Sequence, residues 1–299
     1  MISIWAPEGI GEVRAGTDLA DLILTATAAD PSGPLREGDI IVVTSKIVSK
    51  SEGRFVPAAE REDAISAESV RTLARRGRTR IVRTRAGLTL AAAGVDNSNV
   101  DPSQVVLLPA DADASAARVL VELRGRTGLR LGVVVSDTAG RAWRLGQTDQ
   151  AVGAAGVRVV RSYEGETDGY GNPLQVTAMA WADEIAAAAD LVKAKLGGRP
   201  VAVLRGLAEA ITDAGGTAQE LVRAPAEDMF GFGSQEAVLV AALEVTGQAD
   251  RYEDLVALDS SERAEALLAG CALEAPAADL VRRMLGLDLA KMNPPQTSR

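Results

Sequence analysis

The sequence predicts a mixed α/β fold, α+β in character, over residues 1–247, with a helical extension over 248–299. Three observations carry this. Short apolar runs bounded by turn residues alternate with amphipathic stretches through the first part of the chain. Two of those runs, 39–44 (DIIVVT) and 131–135 (LGVVV), are apolar without alternation, as strands covered on both faces are. From about Gln248 the texture turns acidic and helical, and the strand-like runs stop.

The elements follow in order. Residues 19–28 have helical spacing, with Thr17 or Asp18 placed to cap them. Pro31-Ser32-Gly33-Pro34 is a turn leading to the 39–44 strand. Residues 80–85 and 105–108 are shorter strands. Residues 113–123 form a helix closed by Gly125 and Gly128. The 131–135 strand comes next, and 156–160 is expected as another. Residues 163–173 (YEGETDGYGNP) are a polar, Gly-rich loop. The Ala-rich stretch 182–196 is a helix ended by Gly197-Gly198, and 200–204 (PVAVL) is a strand after it. Residues 234–244 are helical, and the end from Asn293 frays.

Composition removes whole classes of chemistry. The 299 residues contain no histidine, so triads, His bases and His metal sites are excluded. The single Cys271 excludes an internal disulfide and a Cys-cluster zinc site, and a reducing cytoplasm is expected. Any metal must sit on oxygen ligands, which suits magnesium or manganese. A net charge of -9 argues against general nucleic-acid binding. No apolar run reaches the roughly 18 residues of a membrane helix, and Met1-Ile2-Ser3-Ile4-Trp5 lacks the basic start of a signal peptide. P-loop, dinucleotide-binding and kinase motifs are missing.

Only five of the basic residues are lysines, and four fall in two short segments, 44–50 (TSKIVSK) and 193–198 (KAKLGG). A lysine ammonium is a compact charge suited to phosphate oxygens, though surface lysines left by chance read the same way. Ser45, Lys46 and Lys50 follow a strand and can face phosphates from a strand-to-helix turn. The arginines between Arg71 and Arg85 form a positive run that steers anions or simply coats a surface. In 133–141 (VVVSDTAGR), Asp137 and Thr138 end a buried strand, where a carboxylate and a hydroxyl can hold a hard cation or cap the next turn. Asp96 and Asn99, in 91–100 (AAAGVDNSNV), offer a second acidic corner or an Asx turn. Trp143 and Trp181 are expected in packing, and Arg141 and Arg144 in anion binding or a structural ion pair.

Together, 38–54, 91–100, 131–156, 168–192, 200–207 and 226–230 resemble, in series over about 1–245, the coenzyme F420-0:L-glutamate ligase family. The resemblance implies the γ-glutamyl ligase-type fold, distinct from P-loop, Rossmann and ATP-grasp folds, in an intertwined homodimer. It implies GTP, L-glutamate and the deazaflavin precursor F420-0 as substrates. It implies two divalent cations, Mn2+ or Mg2+, and allows a monovalent cation. The implied reaction passes the γ-phosphate of GTP to the precursor's carboxylate, and the amine of L-glutamate then displaces phosphate. Further rounds extend a γ-linked tail. Carried over by position, Asp96 and Asp137 match metal-binding carboxylates and Thr138 a ligand of the second metal. Ile10, Gly11, Glu12, Val13, Ser45, Lys46, Lys50 and Asn99 match nucleotide contacts, as do Lys193 and Lys195 in a looser stretch. Arg141 and Arg144 are candidates for the coenzyme's phosphodiester or carboxylate. No catalytic base is assigned.

Some members of the family carry a C-terminal flavin-reductase-like domain, and here a helical tail is expected instead. Near 193–198 no acidic or amide side chain stands out for the second metal; a backbone carbonyl or Glu184 is the substitute. Two other functions fit the same motifs: a ligase of this fold with another acid or amino acid, and a nucleotide or deazaflavin carrier without catalysis.

Overall fold

The structure, a computed structural model, describes residues 1–258, 260–271 and 273–285. The chain divides into two compact units. The first comprises Met1–Ser66, Ala86–Leu88 and Gly94–Arg223. Its centre is a five-stranded mixed sheet in the order Ser3–Trp5, Val201–Arg205, Ile40–Thr44, Gly132–Arg141, Arg144–Ala155. Ile40–Thr44 and Gly132–Arg141 run parallel, and the other pairings are antiparallel.

Both faces of this sheet are covered, which is why the stretches 40–43, 133–135 and 201–204 of its central strands are apolar without alternation. Ile41, Val43, Val133, Val135, Val201 and Val203 pack under the helices Leu19–Ala29 and Ala112–Thr127. Ile40, Val42, Val134, Ala202 and Leu204 pack against the helix Trp181–Lys193 through Ala182, Ile185, Ala186 and Ala189. The starts of Leu19–Ala29 and Ala112–Thr127 obey capping chemistry. Asp18 accepts from the amide of Asp21, and Asp111 from that of Ala114. Asp39 is fully buried and is neutralised by Arg205, whose guanidinium donates to both carboxylate oxygens at 2.8 and 2.7 Å.

Two expected elements differ. The segment 156–160 is not a strand, because Gly156 turns the backbone to a φ of +67° and only Val157 makes a bridge, to Ile211. Val157 and Val159 are buried by packing instead. The strand is Arg144–Ala155, whose Gly, Ala and polar residues carry little β-propensity and which forms by pairing along Gly132–Arg141. The helix expected to Leu196 ends at Lys193, because Ala194 leaves helical geometry with a φ of +52°. Helix Ala112–Thr127 crosses this second strand so closely that a Cβ at Gly153 would collide with the carbonyl of Ala112. Gly153→Ala is expected to cost about 1–3 kcal/mol in a denaturant melt, since backbone cannot move aside as a side chain tip can.

The second unit comprises Ala67–Arg85, Thr89–Ala93 and the chain from Ala224. The boundary read at 247 falls inside it. An antiparallel sheet, Ser69–Arg76, Thr79–Thr84 and Thr89–Ala91, joins the helices Ser234–Val245, Tyr252–Val256, Ser260–Ala269 and Ala275–Leu285. Leu239, Leu243, Leu255, Leu267 and Leu285 form its core. Buried Glu236 accepts from the Gly233 amide and the Tyr252 hydroxyl and pairs with Arg71 at 2.9 Å, so one member of the arginine run serves structure. The helical extension is present through Leu285, and the expected frayed end lies outside the described residues. No helix among the described residues is long and apolar enough to cross a membrane.

Candidate functional site

All four lysines among the described residues line one cavity of about 460 Å³ in the first unit. Its wall includes Ile10, Gly11, Glu12 and Val13 from an extended stretch near the N-terminus. Thr44, Lys46, Ile47 and Lys50 come from the end of one strand and the helix Ser45–Ser51. Thr138 and Asp149 come from the two strands of the hairpin, and Asp190, Lys193, Lys195 and Arg199 from the helix end and the loop after it. Asn99 completes the wall. It sits at a φ of +53°, a left-handed conformation that Asn tolerates better than most residues.

Polar contacts order the floor. Lys46 Nζ lies 2.7 Å from Asp96 and donates to the Ser98 carbonyl at 2.7 Å. Asp96 also accepts from the amide and hydroxyl of Ser98, both at 2.8 Å. Burial pushes the Asp96 carboxyl up, but Lys46 and the Ser98 amide outweigh it and hold it below the ordinary range. Lys50 is buried and pairs with Glu12 at 2.5 Å. Lys193 and Asp149 form a buried pair at 2.7 Å. Burial raises the Asp149 carboxyl, and the charge of Lys193 with bonds from Lys193, Thr138 and Ser136 brings it below the ordinary range.

Asp137 differs from both. The turn-cap alternative does not apply to it: the strand runs on to Arg141, so Asp137 lies mid-strand, paired across the hairpin with Gln150. Its side chain accepts from Ser45 Oγ at 2.7 Å. Burial pushes its pKa up to about 6, and the charges of Asp149 and Asp96 add to the rise against Ser45 and Lys46. Asp137 is thus a part-buried carboxyl that feels the charges of two others and has no ammonium bonded to it. A cation would balance such a position, and its carboxylate and hydroxyl oxygens are ligands that suit a hard divalent ion.

The segments 10–13, 44–50, 96–99, 137–138 and 193–195 converge here from across the sequence. Asp96, Asp137 and Ser45 stand just behind the cavity wall: Asp96 is bonded to Lys46, and Asp137 is held by Ser45, between the wall residues Thr44 and Lys46. Arg141 and Arg144 are brought nowhere near the wall. They are exposed at the far end of the hairpin, where Arg141 donates to the Leu145 carbonyl. Trp143, expected in packing, is 86% exposed between them. Asp149, Ser136, Asp190 and Arg199 were not predicted. Asp149 had one available signal, since a hairpin pairing sets it opposite Thr138. Glu184, offered as a substitute metal ligand, is on the exposed side of its helix and not on the wall.

The chain matches the model of the F420-0:Gamma-glutamyl ligase family over residues 9–76 and 64–206. It is 38% identical over 250 residues to the coenzyme F420:L-glutamate ligase of Methanothermobacter thermautotrophicus, covering 77% of this chain and 98% of that protein. The protein of the same name from Methanopyrus kandleri is 34% identical over 241 residues, covering 73% and 93%. That from Archaeoglobus fulgidus is 32% identical over 248 residues, covering 77% and 96%.

Proposed function

The chain belongs to the F420-0:gamma-glutamyl ligase family, and from that premise we propose that it joins L-glutamate to F420-0 in coenzyme F420 biosynthesis, using GTP. The observation that carries the GTP part is the gathering of Lys46, Lys50, Lys193 and Lys195, with Arg199, around one cavity in an acidic protein. Such a wall neutralises a polyphosphate, and phosphoryl transfer is catalysed mainly by positioning and charge neutralisation, with no need for histidine.

The reaction balances without a redox partner. A carboxylate oxygen of F420-0 bonds to the γ-phosphorus as the β–γ bridging P–O bond breaks, giving an acyl phosphate and GDP. The glutamate amine then bonds to the acyl carbon, phosphate leaves, and the amine proton passes to a carboxylate or phosphate oxygen. Lys46 sits on a partly exposed carboxylate and can turn to a phosphate oxygen, exchanging one anionic partner for another. Asn99 and the 10–13 stretch border the nucleotide, and backbone amides there can fix its orientation. Ser45 orients the Asp137 carboxylate. Asp137 and Asp96 would hold a divalent cation, which would add positive charge beside the phosphates. The same reading includes a homodimer and a cytoplasmic location.

The test is phosphate release from GTP with F420-0, L-glutamate and Mn2+, with mass spectrometry of the deazaflavin. A mass gain of one or more glutamyl units is expected, and its loss in Asp137→Ala. If GTP and F420-0 bind but no adduct forms, the acceptor is wrong, and other amino acids come next.

A further inference from the structure

We propose that the ammonium of Lys193 is a built-in cation standing in place of a second divalent ion, so that the site takes one divalent cation per chain and not the two the family resemblance implies. This rests on the reading of the cavity as a nucleotide–metal site.

The three carboxylates of the site are not equivalent. Asp149 is already saturated. Its Oδ1 accepts from Thr138 Oγ1 at 2.7 Å, and its Oδ2 accepts from Ser136 Oγ at 2.8 Å and from Lys193 Nζ at 2.7 Å. Lys193 also donates to Ser136 Oγ at 2.7 Å, so ammonium, hydroxyl and carboxylate form a closed ring. The Lys193 and Asp149 side chains are 5% and 3% exposed. A divalent ion bound to Asp149 and Thr138 would have to displace the ammonium, leaving a buried positive charge beside a new one. The Lys46–Asp96 pair, with side chains 16% and 39% exposed, is less buried, so displacing Lys46 leaves a charge that water can reach. Asp137 has no ammonium bonded to it at all. Among the described residues no group of three or more Asp, Glu or Cys side chains is arranged to enclose an ion.

The carboxylates therefore sort into one position open to a metal, Asp137 with Asp96, and one already filled, Asp149. An ammonium has three N–H donors, and Lys193 uses two on Asp149 and Ser136. The third is left for a phosphate oxygen, and Lys193 lies on the cavity wall to offer it. The residue thus supplies the positive charge that a second ion supplies elsewhere, without a dissociable ligand.

Counting bound Mn2+ tests this. The chain is titrated with Mn2+ in saturating GDP, and free Mn2+ is followed by its paramagnetic resonance signal. One ion per chain is expected in the wild type. Lys193→Gln, which removes the charge and keeps a donor, is expected to take two, and Lys193→Arg one. Two ions per wild-type chain overturn the proposal while leaving the nucleotide reading intact. A folded Lys193→Gln that still takes one ion overturns it as well. Failure of the wild type to retain GDP overturns the nucleotide reading and this inference together. If Lys193→Gln does not fold, the wild-type and Lys193→Arg counts decide.

Discussion

Asp137→Asn is expected to abolish ligation and, in the same chain, to raise the stability of the ligand-free protein. The two effects have one cause. The Asp137 carboxyl is part-buried and feels the charges of Asp149 and Asp96, and desolvation pushes its pKa up to about 6. The folded protein therefore holds this proton over a range in which the unfolded chain has lost it. Stability from this group is whole below about pH 4 and falls as pH rises towards 6. An asparagine does not titrate, and its amide oxygen can still accept from Ser45. The two proteins should melt alike near pH 4, and above about pH 6.5 the variant should be more stable by about 1–3 kcal/mol. Other carboxylates contribute equally to both, so the difference isolates position 137. On the proposed function, activity should fall at least about a thousandfold, because a cation neutralising the transferring phosphate would lose its anchor. Mn2+ with GDP should raise the melting temperature of the wild type and not of the variant, since only a ligand that binds the native state stabilises it. A variant no more stable than the wild type at pH 8 would show that Asp137 carries no burial cost.

What the sequence made legible, and what it hid, follows from the range of the interactions. The apolar strands 39–44 and 131–135 announced themselves because burial on both faces leaves no polar position to confuse the pattern. The lysines were legible as a set because so few survive in an arginine-rich chain, and one cavity gathers all four that are described. Asp137 was found for its position on a buried strand, but local turn statistics offered a cap that the continuing hairpin removes. Arg144–Ala155 is hard to see in the sequence because RLGQTDQAVGAA has only Thr148 and Val152 as β-branched residues and no clean alternation. Asp149 was hidden with it. In sequence it is one polar residue among several, and only the register opposite Thr138 turns it inward. The pairing of 67–85 with the chain after 224 has no local trace either, since Arg71 and Glu236 are far apart in the sequence.

The Lys193–Asp149 pair gives the sharpest energetic test of the site's construction. Both side chains are almost wholly buried, and among the described residues each is the other's opposite charge within bonding distance. Lys193→Met should cost about 3–5 kcal/mol, because it leaves Asp149 buried without its counter-charge, with only Ser136 and Thr138 to satisfy it. Asp149→Leu should cost a similar amount by stranding the ammonium, and it also removes the acceptor of both hydroxyls. The double variant should be much less damaged than the sum of the two, because an apolar pair of similar volume requires no charge to be desolvated. A denaturant double-mutant cycle measures that coupling directly. If the singles each cost under about 1 kcal/mol, the pair behaves as an exposed one and the ammonium is free to move. If the singles are severe and the double recovers, the pair was not retained for stability, since apolar residues serve that end as well. The charge would then be kept for what faces the cavity, and loss of GDP binding in the recovered double variant would separate that role from folding.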